Sequence, residues 1–129
     1  MDIHHIGYLV KNIKPAIAGF EALGYHLTDG ITYDHIRDIH ICFMQNGGYV
    51  IELICPASKA SPLYPLLKKM HNAPYHICYH SSRFDEEVAA LSENGYVLAD
   101  PPCPAPAIQN KRVAFLMNLT VGLIEILES

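Results

Sequence analysis

Two stretches of this chain place histidine in alternating apolar runs, "HHIGYL" (4–9) and "YHICYH" (75–80). Two others, "VIELI" (50–54) and "LIEIL" (123–127), each place one glutamate in an otherwise apolar run. Taken singly, a strand histidine is an ordinary hydrogen-bonded residue, and a strand glutamate can face solvent. Taken together, His5, Glu52, His76 and Glu125 offer two imidazoles and two carboxylates. A carboxylate inside such a run is costly to bury unless it is paired or bound to a cation. This donor set suits one divalent ion, Zn, Ni, Co, Mn or Fe, with positions left for water or substrate.

The four positions are tied together because the chain repeats itself. Shifted by 71 residues, "HIGYLVKNIKPAIAGFEALGY" (5–25) falls on "HICYHSSRFDEEVAALSENGY" (76–96) without a gap. His5 meets His76, Tyr8 meets Tyr79, Ile17 meets Val88, and Gly24-Tyr25 meets Gly95-Tyr96. "YVIELI" (49–54) matches "GLIEIL" (122–127) at a shift of 73, so Glu52 meets Glu125. A gapless run with a matching end points to a duplicated module.

Each module reads as βαβββ, so the fold class is α+β. A first strand (3–10 and 75–80) precedes a helix with apolar residues at helical spacing: Ile13, Ile17, Phe20 and Leu23, then Phe84, Val88 and Leu91. Asp85 and Glu86 suit that second helix's start, Pro15 suits a first turn, and Gly24 and Gly95 suit helix ends. Three strands follow in each module, 25–28, 39–45 and 49–55, then 96–99, 112–117 and 121–127, with "QNGG" (45–48) as a hairpin turn. The modules cover about 1–56 and 74–129 of a single domain, joined by a linker (57–73) whose centre suits a short helix. "DPPCPAPAIQN" (100–110) reads as a Pro-rich loop, too irregular for a strand.

Strand alternation puts His5, Gly7 and Leu9 on one face, and His76, Cys78 and His80 on another. A pseudo-symmetric pair of modules would bring the two histidines and two glutamates together. His4 points to the opposite face, and Cys78 reads as a small filler beneath the site. His80 falls on Leu9 in the repeat, so it is a candidate substrate contact particular to the second half. Lys111 and Arg112 follow the Pro-rich loop and are candidates to hold an anionic group of a substrate, or simply solvated charges at a strand start.

Composition narrows the functional class. The chain has 129 residues, half of them hydrophobic, and a formal charge of -4. It lacks the basic footprint of a nucleic-acid binder. No stretch approaches the ~20 apolar residues of a membrane span, and "MDIHHIGYLV" lacks a secretory signal's basic start and long apolar run. The four cysteines show no CxxC spacing and are expected reduced, in a cytoplasmic protein.

The residues quoted so far resemble the vicinal oxygen chelate superfamily, which includes glyoxalase I (lactoylglutathione lyase), methylmalonyl-CoA epimerase, extradiol dioxygenases and antibiotic-resistance proteins. "HHIGYLVKNI" resembles its opening strand, "VIELICPASKASPL" an epimerase-like strand and loop, "PYHICYH" the second-module strand, and "KRVAFLMNLTVGLIEILE" the closing strands. The resemblance implies metal ligands at His5, Glu52, His76 and Glu125, in an order similar to bacterial glyoxalase I. It also implies an open, curved eight-stranded barrel-like sheet and a homodimer. Epimerases of the family carry a glutamate base in the strand before the first hairpin. Aligning "DHIRDIHICFM" (34–44) with that strand puts Ile36 at the position, with Asp34, Asp38 and His40 on its alternation face as substitutes.

The activity implied is metal-dependent isomerase or lyase chemistry: loss of a proton alpha to a carbonyl of a thioester, hemithioacetal or related small molecule. Glu125 is the first candidate base and Glu52 the second. The competing expectations are a drug-binding or resistance protein of the same fold without catalysis, and an interaction domain with a closed structural metal.

Overall fold

The computed structural model describes residues 1–129. It is a mixed α+β chain of nine strands and three helices, arranged as two compact units. One unit is Ile6–Tyr75; the other joins Met1–His5 to His76–Ser129. The boundary between units therefore runs through the first strand, β1 (Asp2–Leu9), and assigns His5 to the unit built from the second half of the chain.

Within Ile6–Tyr75, β1 is followed by helix α1 (Ile13–Glu21) and strands β2 (His26–Leu27), β3 (Thr32–Asp34), β4 (Ile39–Asn46) and β5 (Tyr49–Pro56). Helix α2 (Tyr64–Met70) occupies the centre of the linker, as expected. β5 lies parallel to β1 and antiparallel to β4, while β2 and β3 both pair with β4. The β4–β5 hairpin closes through Asn46 and Tyr49, with Gly47 at a φ of 58°. A positive φ there suits the tight turn that matches strand twist. β3 is the strand beyond the expected eight.

The other unit carries β6 (Ala73–Ser81), helix α3 (Phe84–Glu93), β7 (Val97–Ala105), a 3-10 turn (Pro106–Ile108), β8 (Lys111–Asn118) and β9 (Gly122–Glu128). β6 is parallel to β9, and β9, β8 and β7 form an antiparallel meander. The 100–110 segment corrects the loop expectation, because β7 continues through Pro101, Pro102 and Pro104 to Ala105. It does so as the outermost strand of its unit, with register shifts after Leu98 and after Asp100. Proline cannot donate to a ladder, so it is tolerated on an edge strand and at bulges.

Five buried core positions correspond across the repeat: Ile17 with Val88, Cys42 with Ala114, Met44 with Leu116, Ile51 with Ile124 and Leu53 with Ile126. Val10, Ile17, Cys42, Met44, Ile51 and Leu53 are buried between α1 and its strands. Phe84, Val88, Ala114, Leu116, Ile124 and Ile126 are buried under α3. The helix ends correspond too: Tyr25 N–H bonds to Phe20 C=O and Tyr96 N–H to Leu91 C=O, beside Gly24 and Gly95 at φ of 99° and 86°. This 6→1 closure needs a left-handed residue at the helix end, which glycine supplies without strain.

Candidate metal centre

β1, β6 and β9 each bury the face opposite the helix-packed core. In β1, His5, Gly7 and Leu9 are buried while His4, Ile6 and Tyr8 are half-buried. In β6 the inward residues include His76 and Cys78, and in β9 Glu125 stands in register with Cys78. His5, His76 and Glu125 are 1%, 4% and 3% exposed, so water cannot solvate them.

Their polar atoms converge. His5 Nε2 lies 3.3 Å from His76 Nε2 and 3.2 Å from Glu125 Oε2, and His76 Nε2 lies 3.0 Å from the same oxygen. Yet Oε2 has no hydrogen-bond partner of acceptable geometry. Donors about 2.1 Å from a metal stand about 3.0 Å apart at adjacent octahedral corners and about 3.4 Å apart in a tetrahedron. The three observed separations fall in that interval, and the orphaned, buried oxygen is the atom a cation would satisfy. The residues present therefore fit a divalent ion.

The electrostatics agree. Burial alone would raise the Glu125 carboxyl, but contact with His5 and His76, and then their charge, holds it well below the ordinary glutamate range.

Glu52 is buried in the Ile6–Tyr75 unit, on β5. Its register partners are Gly7 on β1 and Phe43 on β4. Gly7 is two residues beyond His5 on the same face of the same strand. Burial, followed by the Glu52 charge, pushes the Cys42 thiol up to about 11, so Cys42 stays protonated at neutral pH.

The structure also places aromatic rings that sequence reasoning had passed over. Phe115 stands opposite Glu125 across β8–β9, edge-on to the His76 ring at 5.2 Å between centroids. Phe43 stands opposite Glu52 in the same way. A shift of 72 relates the two phenylalanines, so the repeat carried the signal. Cys78 is fully buried against Ala105, Val113 and Leu127. His4 turns its Nδ1 to within 2.8 Å of His5 Nδ1.

Other candidates lie elsewhere. His80 is partly exposed, with Nδ1 3.2 Å from Ser129 Oγ and its ring 6.1 Å from that of His4. Lys111 opens β8, opposite Ala105. Arg112 is engaged by two carboxylates of its own unit. Its guanidinium is bidentate to Asp85 at 3.0 and 3.1 Å, bonds Glu128 at 2.8 and 3.1 Å, and stacks on Phe84. Two carboxylates already neutralise it, so it is committed to the unit's own packing.

The strand expected at Ile36 is corrected. Ile36 lies in an exposed turn between β3 and β4, not in a strand. Asp34 caps that turn, accepting from Ile36 N–H, Arg37 N–H and the Arg37 side chain at 2.9, 3.1 and 2.8 Å. Asp38 accepts from Ser58 and Tyr33, which hold its carboxyl below the usual range. His40 pairs with Tyr33 and so lies on the face of β4 opposite to Phe43 and Glu52. The β4 row on the Glu52 face begins Ile39, Ile41 and Phe43, all apolar.

Residues 4–115 match the family model described as the Glyoxalase/Bleomycin resistance protein/Dioxygenase superfamily. The chain belongs to that superfamily. It is 30% identical over 115 residues to the uncharacterized protein YqjC of Bacillus subtilis (strain 168), covering 88% of this chain and 81% of that one. The hypothetical protein BH1468 from Bacillus halodurans C-125 superposes with a TM-score of 0.88 at 26% identity, over 99% of this chain and 94% of that one. Methylmalonyl-CoA epimerase from Mycobacterium tuberculosis gives a TM-score of 0.84 at 22% identity, over 98% and 86%. At that identity the epimerase shares the fold. No helix here is long and apolar enough to cross a membrane.

Proposed function

We propose that this superfamily member is a divalent-metal-dependent isomerase or lyase that removes a proton alpha to a carbonyl, with His5, Glu52, His76 and Glu125 as the metal ligands. The observation that carries this reading is the convergence of His5 Nε2, His76 Nε2 and Glu125 Oε2 at 3.0–3.3 Å around a buried oxygen without a hydrogen bond. Glu52 enters as the repeat partner of Glu125, buried beside Gly7 on the strand that carries His5. A bound divalent ion supplies Lewis-acid stabilisation of the negative charge that develops on the carbonyl oxygen.

The chain's own residues do the rest. A carboxylate takes the proton from the α-carbon and returns it: Glu125 first, Glu52 second. The row residues beside the two glutamates, Ile41 and Phe43 on β4 and Val113 and Phe115 on β8, carry no acid or base; Asp34, opposite Ile39, is engaged by Ile36 N–H and Arg37, and Lys111 stands at the start of the β8 row. Phe43 and Phe115 shield the carboxylates from water, which strengthens every charge interaction inside the site. A single carboxylate moving a proton between positions suits a glyoxalase-type isomerisation better than epimerisation with a base on each face. That apolar β4 row also favours a second reading, small-molecule binding without turnover.

Metal content of wild-type and His76→Ala protein, each stripped and reloaded with Zn2+, Ni2+ or Co2+, tests the site. About one equivalent in wild type and a large loss in the variant is expected; near-zero metal in both sinks the proposal. Deuterium wash-in from D2O, tried on 2-acyl-CoA thioesters and hemithioacetals, tests the chemistry. Loaded wild type that shows no exchange across the panel favours the binding reading.

A further inference from the structure

Resting on the reading of His5 Nε2 as a metal donor, we propose that His4 is a positioning residue. It accepts the Nδ1–H of His5 and so holds His5 in the one tautomer whose Nε2 lone pair can face a cation.

Strand alternation alone would send His4 away from His5. Instead the two rings meet edge to face, 5.1 Å between centroids and 78° between planes, with the Nδ1 atoms 2.8 Å apart. A neutral imidazole carries one N–H and one lone pair. Two facing Nδ1 atoms at this distance therefore share one proton: one ring donates and the other accepts. When His5 Nε2 presents a lone pair, the His5 proton sits on Nδ1 and His4 Nδ1 must accept it. The proton of His4 then sits on its own Nε2. The hydrogen bond thus links the tautomers of two adjacent residues.

His4 is itself held. The His80 ring lies 6.1 Å from it at 73°, and His80 is anchored to Ser129 Oγ at 3.2 Å. The partner of a ligating histidine's second nitrogen orients the ring and raises its basicity, and losing such a partner costs about 10–100-fold in metal affinity.

The test uses the full chain and Zn2+ alone. His4→Phe keeps the ring bulk and removes the acceptor, whereas His4→Asn puts an amide oxygen near the position of Nδ1. By chelator competition, His4→Phe is expected to bind Zn2+ about 10–100-fold more weakly than wild type, with His4→Asn restoring most of the loss and metal-free melting temperatures close to wild type. In the Zn2+-loaded wild-type protein, 15N-resolved imidazole spectra should show His5 protonated at Nδ1 and His4 at Nε2, a readout independent of how the variants fold. Wild-type affinity in His4→Phe, or a proton on His4 Nδ1 in the loaded protein, overturns the role of His4 alone. Wild type that binds no Zn2+ overturns the metal reading and this proposal with it.

Discussion

Replacing Glu125 by Gln keeps the shape of the side chain and removes its charge, so it isolates what the buried carboxylate contributes to metal binding. A ligand that binds only the folded state at a hundred times its Kd stabilises by about 2.7 kcal/mol. A chain of 129 residues unfolds with an entropy of roughly 0.27 kcal/mol per kelvin, at ~2.1 cal/mol/K per residue. Wild-type protein at that Zn2+ concentration should therefore melt about 10 °C above its own metal-free form. Glu125 Oε2 is buried with both imidazole nitrogens within 3.2 Å, so its charge is strongly coupled to anything those nitrogens hold. Removing one partner of a buried charged pair costs about 3–5 kcal/mol, and 4 kcal/mol is about a thousandfold in Kd. At the same Zn2+ concentration the variant would then sit near one tenth of its Kd, and its metal-induced shift should fall below about 1 °C. Differential scanning fluorimetry, with each protein compared with its own metal-free form, cancels any effect of the substitution on the apoprotein. A Gln variant that still gains about 10 °C would refute the assignment of Oε2 as a ligand.

Three further outcomes follow from the same structure. Ile126 is fully buried with Phe84, Val88 and Leu116, so Ile126→Ala should cost about 2–5 kcal/mol in urea denaturation. Arg112 holds the Asp85 and Glu128 carboxyls below their ordinary range. Groups with a depressed folded-state pKa contribute stability above their unfolded pKa and lose it as pH falls through the folded value. Wild-type stability should therefore drop more steeply than that of Arg112→Ala between about pH 5 and pH 2. Finally, Cys42, Cys55 and Cys78 are buried and only Cys103 is partly accessible, so a thiol reagent such as DTNB should react quickly with one cysteine in the native protein and with four after denaturation.

Much of this molecule is written in local periodicity. Alternation in "HHIGYL" and "YHICYH" assigned His5 and His76 to buried strand faces, and helical spacing picked out Ile17, Phe84 and Val88 as core. The internal repeat paired the glutamates and matched the cores, because equivalent positions in a duplicated module face equivalent burial. Those features follow from the backbone's own geometry, so a linear reading can reach them.

What the sequence did not determine depends on partners distant in the chain. Strand pairing put His5 in one compact unit with His76 and Glu125, and decided that β7 is an outer strand able to hold three prolines. Register placed Phe43 and Phe115 opposite the two glutamates and turned His40 away from them. Arg112 looked available until Asp85 and Glu128, 27 and 16 residues away, were found around it. His4 looked peripheral because alternation predicts where a Cβ points but not where a ring turns to satisfy a nitrogen. Hydrogen bonds, ion pairs and register link residues through space, and only the folded chain brings those groups within the few ångströms at which they act.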